Sequence, residues 1–107
     1  MNEAERRLSG STCYFEFQNG SYRGRHWLKG SIYIHASKFD EFGLYILFTN
    51  CIEAFCYDGL TEVNKEQWDK LRKKAVRNEI WSGVILEITP WVEACFQKHK
   101  CFTICGI

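Results

Sequence analysis

The sequence predicts an α+β fold, a largely antiparallel sheet of five to seven strands with two helices packed on one face. Three observations lead there. Segments in the first half alternate apolar and polar residues, segments in the second half repeat apolar residues at helical spacing, and no linker or internal repeat divides the 107 residues. Strands gathered first and helices later favour an antiparallel sheet with its helices to one side. At this length the chain makes one domain, 1–107, with 1–11 expected as a loosely ordered lead-in.

The first strand is Cys13–Gln18, with Cys13, Phe15 and Phe17 on one face. Asn19-Gly20 is a strong hairpin signal, because both turn positions accept positive φ. Tyr22–Leu28 is the expected return strand, and Lys29-Gly30 marks a second turn. Ser31–Ser37 alternates again, with Ile32, Ile34 and Ala36 opposite Tyr33 and His35. Lys38–Gly43 reads as a connecting loop. Leu44–Thr49 reads as a central apolar strand covered on both faces. Ile52–Tyr57 is a further strand that ends at the turn dipeptide Asp58-Gly59.

The period then changes. Asn64 followed by Gln67 forms a capping-box variant, and Trp68, Leu71 and Ala75 recur at helical spacing. These predict an amphipathic helix over 64–78. Val84–Ile88 is a strand candidate. Thr89-Pro90 reads as a helix start with Pro at the first helical position. Trp91, Val92, Cys95, Phe96 and His99 follow at helical spacing, and Cys101–Ile107 closes the chain as a strand. At a sheet edge, that last strand would be able to pair across a dimer.

Composition narrows the class. Formal charge is +1, 46% of residues are hydrophobic and 16% are aromatic. The N-terminal MNEAERRLSGS is polar and predicts no secretory signal, and no apolar run reaches the length of a membrane span. A cytoplasmic protein is the expectation. Six cysteines, at 13, 51, 56, 95, 101 and 105, then read as buried thiols acting as small hydrophobes.

No catalytic residue and no cofactor are expected. Metal binding finds no CxxC pair, and Cys51 and Cys56 are spaced too widely for a common knuckle. On a strand Cys101 and Cys105 would lie roughly 13 Å apart, too far for one ion. The expectation is therefore no metal site. A thiol enzyme would need one of His26, His35 or His99 beside a Cys of lowered pKa, whereas apolar surroundings raise a thiol's pKa. Arg23, Arg25, His26, Trp27 and Lys29, with the 70–77 helix face, form a candidate nucleic-acid surface. The near-neutral total gives that surface little long-range attraction.

One charge pattern stands out. Between Lys38 and Lys65 there is no Lys or Arg, yet five acids lie there, namely Asp40, Glu41, Glu53, Asp58 and Glu62. Aromatic residues share the stretch. Acids that steer a basic partner and aromatics that anchor it make a docking surface. Its candidate partner-binding residues are Phe39, Asp40, Glu41, Phe42, Tyr57, Asp58 and Glu62. A compact α+β domain of this length, rich in aromatics and Cys and without a catalytic motif, resembles small bacterial immunity proteins. Those are the proteins paired with contact-dependent inhibition and other polymorphic nuclease toxins. The resemblance is one of overall type, with no motif through which a family's functional residues can be transferred. It implies a non-enzymatic monomer that binds and neutralises a basic toxin domain. A nucleic-acid module is the first alternative and a Cys/His enzyme the second.

Overall fold

The computed structural model describes Asn2 and residues 13–106. The expected lead-in over 1–11, Asn2 aside, lies outside the described residues. The elements are β1 (Tyr14–Asn19), β2 (Ile32–His35), α1 (Ala36–Glu41), α2 (Leu44–Cys51), β3 (Leu60–Asn64), α3 (Lys65–Ala75), α4 (Glu79–Lys98) and β4 (Cys101–Cys105). The α+β class and the antiparallel sheet hold. The counts differ from expectation, at four strands and four helices among the described residues.

The sheet order is β2-β1-β4-β3, every pairing antiparallel. The last strand is therefore internal, between β1 and β3, and does not supply the dimer edge considered from sequence. All four helices contribute to one face. There Phe15 and Phe17 of β1, Val63 of β3, and Phe102 and Ile104 of β4 meet Phe39, Leu44, Leu47, Phe48, Trp68, Leu71, Ile85, Ile88 and Val92. The rings interlock: Phe15 stacks on Phe39 at 4.1 Å between centroids, and Phe17 stacks on Phe102 at 5.8 Å. Burying rings of this size supplies most of the driving force in a small domain.

Helices replace two expected strands and an irregular connection replaces a third, for identifiable reasons. In α2 the buried residues are Leu44, Leu47, Phe48 and Cys51, while Tyr45 and Ile46 face solvent. That is the i, i+3, i+4, i+7 pattern of a helix, hidden inside a short apolar run. Val84–Ile88 lies within α4, whose buried Ile85, Ile88, Val92 and Cys95 keep the same period. This helix starts at Asn78, whose side chain accepts from the amides of Ile80 and Trp81. Pro90 falls inside it, and the Thr89 hydroxyl donates to the Ile85 carbonyl at 2.6 Å. Ile52–Tyr57 is an irregular connection instead of a strand. Lys38–Gly43, expected as a loop, is mostly α1.

The helix expected over 64–78 forms as α3. Both capping-box bonds are made at 2.9 Å, Gln67 N–H to Asn64 and Asn64 N–H to the Gln67 side chain. The strand Leu60–Asn64 that leads into it was not anticipated.

Candidate functional site

Among the described residues, no helix covers the opposite face of the sheet. Tyr14, Glu16 and Gln18 of β1 point there and are buried, as are Thr103 and Cys105 of β4. Their cover is the segment 20–31, which leaves β1 at Gly20 and returns to β2. The expected strand Tyr22–Leu28 is this irregular cover. Glu16 is 1% exposed and holds it down. Its Oε1 accepts from Trp27 N–H at 2.8 Å, and its Oε2 accepts from Leu28 N–H and the Ser31 hydroxyl, both at 2.8 Å. The Tyr33 hydroxyl adds a longer contact to Oε2 at 3.4 Å. Trp27 has φ of +60°, an uncommon left-handed conformation for a large residue, and it turns two successive amides onto the carboxylate.

The acidic ledge lies on the helical side. His35 caps α1, its Nδ1 accepting from the Ser37 amide at 3.1 Å. Gly43, at φ +69°, breaks the chain sharply between α1 and α2. The Trp81 indole N–H of α4 donates to the Phe42 carbonyl at 2.8 Å and fixes that corner. The corner presents Asp40, Gly43, Tyr45, Ile46 and Tyr57 around a shallow depression of about 400 Å³. Tyr45 is 46% exposed and Ile46 56%. Tyr57 spans core and surface: its ring meets Phe15 edge-on at 5.1 Å, and its hydroxyl donates to both Asp40 oxygens, at 2.9 and 3.0 Å. Loss of solvation raises the Tyr57 phenol above its ordinary pKa, and the bond to Asp40 and its charge push the same way.

The candidate contact set divides on this frame. Asp40, Glu41 and Asp58 are exposed, and Tyr57 and Phe42 are half-buried near them. Lys38 pairs with Glu41 at 3.7 Å and sits 5.5 Å from the Phe42 ring centre, an exposed arrangement that offsets part of the ledge charge. Phe39 is fully buried in the aromatic core and is corrected from anchor to scaffold. Glu62 alternates with Thr61 and Val63, which are buried on the helical side, so it projects from the other sheet face and stands apart from the ledge. Tyr45 and Ile46 were missed because their segment was read as a buried strand.

The two basic stretches are also separated. Segment 23–29 covers the face that carries Glu16, whereas α3 packs Trp68, Leu71 and Ala75 into the core on the other. They make no continuous strip, and Trp27 is half-buried with its ring 5.7 Å from that of Tyr33. Of the cysteines, 51, 95 and 105 are buried, 101 is half-buried, and 13 and 56 are exposed. Burial raises the thiol pKa of Cys51 and Cys95, and takes that of Cys105 up to about 12 with help from the Glu16 charge. Such thiols are weakly nucleophilic at neutral pH. Among the described residues, Glu16, His26 and Cys105 form one cluster of metal-ligating types whose donor atoms all lie within 4.8 Å of one another. No helix of the described residues is long and apolar enough to cross a membrane. No family model, curated protein or solved structure matches the chain.

Proposed function

We propose that this chain is a non-enzymatic interaction protein of the immunity type, which binds and neutralises a basic, nuclease-type toxin domain through the ledge at Asp40, Tyr45, Ile46 and Tyr57. One observation carries the reading: two exposed apolar side chains and a carboxylate-bound tyrosine surround a depression whose lining contains no Lys or Arg. Apolar side chains in such a patch gain from being covered. The adjoining acids Glu41 and Asp58 are both exposed and favour a cationic partner. A cleft lined with Lys and Arg to grip phosphates meets both requirements, since acids would occupy the phosphate positions while Tyr45 and Ile46 fill the centre. Raised pKa values on the buried thiols and the divided basic stretches favour this reading over the thiol enzyme and the nucleic-acid module.

The test begins with the product of the neighbouring reading frame as the partner, or with a partner captured from the native host. Asp40→Lys with Glu41→Lys is expected to slow association about tenfold at low salt, with far less change in the dissociation rate and no change in fold. Unchanged association kinetics would overturn the proposal.

A further inference from the structure

We propose that Glu16, His26 and Cys105 bind a divalent transition-metal ion, Zn²⁺ being the best chemical match. The three donors come from three separate segments. Glu16 lies on β1, Cys105 lies directly across from it on β4, and His26 reaches in from the covering segment. Two ligands on one tetrahedral zinc sit about 3.4 Å apart when both are N or O, and about 3.6 Å apart when one is sulfur. His26 Nδ1 lies 3.8 Å from Glu16 Oε1. That is too long for a direct hydrogen bond and within a few tenths of an ångström of the spacing an ion imposes.

The lone pairs on Glu16 agree. Oε2 accepts from the Leu28 amide and the Ser31 hydroxyl and lies near the Tyr33 hydroxyl, whereas among the described residues Oε1 accepts only from the Trp27 amide. A carboxylate oxygen has two acceptor positions, so Oε1 keeps one for the ion, and it is the oxygen nearer His26. The amides and hydroxyl that orient the carboxylate are the outer-shell support a metal ligand needs.

Charge gives a second, independent argument. Among the described residues, no Lys or Arg forms an ion pair with buried Glu16. A divalent cation beside it supplies the missing counter-charge, since a coordinated thiol releases its proton and the two anionic ligands then balance the ion. The donor set of one thiolate, one imidazole and one carboxylate suits Zn²⁺, and does not suit Mg²⁺ or Ca²⁺, which take oxygen ligands. His26 is 47% exposed, so the ion has a route in. Three protein ligands leave a fourth position for water or an external ligand. Bound metal would also fasten the covering segment to both central strands.

The experiment titrates Zn²⁺, and separately Co²⁺, into reduced, chelator-treated protein carrying Cys13→Ser and Cys56→Ser to remove the exposed thiols. One ion per chain is expected, with a thiolate-to-cobalt charge-transfer band. Cys105→Ser should abolish the band. His26→Ala, at an exposed position outside the core, should retain the fold and weaken Zn²⁺ binding at least about tenfold. Absence of stoichiometric binding, a band that survives Cys105→Ser, or unchanged affinity in His26→Ala would each overturn the proposal. Should Cys105→Ser fail to fold, the His26→Ala affinity decides alone.

Discussion

Two carboxylates in this molecule each receive a tyrosine hydroxyl, and their surroundings could hardly differ more. Glu16 takes Tyr33 as one of four donors and is sealed under segment 20–31. Asp40 takes Tyr57 as its one side-chain donor among the described residues and stays in solvent at the rim of a depression. The first acid is buried and takes its donors from the covering segment and β2, so its charge is an internal fastening. The second keeps open acceptor positions and water, so its charge remains available to a partner. The comparison teaches that two carboxylates with the same kind of tyrosine donor differ in what they can reach, one turned inward to the fold and one outward to solvent.

The sharpest way to break this comparison is to remove each acid and measure stability. Glu16→Ala strands the amides of Trp27 and Leu28 and the Ser31 hydroxyl, each costing about 1–3 kcal/mol if water does not replace the carboxylate. A loss of about 3–5 kcal/mol in denaturant unfolding is expected, along with faster amide exchange across 20–31. A loss below about 1 kcal/mol would show that the covering segment is held by something else.

A second effect comes with alkali. In metal-free protein the Cys105 thiol is raised from 9.0 to about 12 in the fold. A folded-state pKa above the unfolded value adds stability that is complete below pH 9 and is lost as pH rises towards 12. At 1.36 kcal/mol per pH unit the full effect is roughly 4 kcal/mol, an upper bound for a thiol beside a solvent-reachable His. The slope of unfolding free energy against pH in that window should flatten in Cys105→Ala.

Tyr57→Phe is expected to be milder. It removes a half-exposed hydroxyl bond and keeps the ring against Phe15 and Phe39, so about 0.5–1 kcal/mol should be lost. Its phenol is also raised, so the bond's contribution is complete below about pH 10 and fades above it, a dependence the Phe variant should lack. Asp40→Lys with Glu41→Lys removes the same hydroxyl bond and the exposed Lys38–Glu41 pair, so a comparable loss of about 0.5–1 kcal/mol is expected with the fold retained.

Much of the sheet and one helix were legible in the sequence. Alternation marked β1 and β2, and placed Phe15 and Phe17 on the core face. Asn64 and Gln67 announced α3 through their spacing. Leu44–Thr49 misled because a short apolar run fits strand and helix alike, and only the extension to Cys51 reveals the helical period. Pro90 misled because a first-turn proline and an interior one look the same without the preceding cap at Asn78. The ledge was half legible. Charge counting found Asp40, Glu41 and Asp58 and the aromatics found Tyr57, whereas Tyr45 and Ile46 depended on the missed helix. The Glu16 clamp was not legible, because alternation assigns that position to solvent and only a covering segment buries it. Cys105 sits 89 residues later than Glu16, so no local spacing joins them.

The central claim is that the open acids, and not the sealed one, meet a basic partner. The direct measurement is the association rate constant of wild type and of Asp40→Lys with Glu41→Lys against the neighbouring-frame or captured partner, at low and at high salt. The account predicts about a tenfold slower association for the variant at low salt, shrinking as salt screens the ledge. Equal rates at both salt concentrations would contradict it.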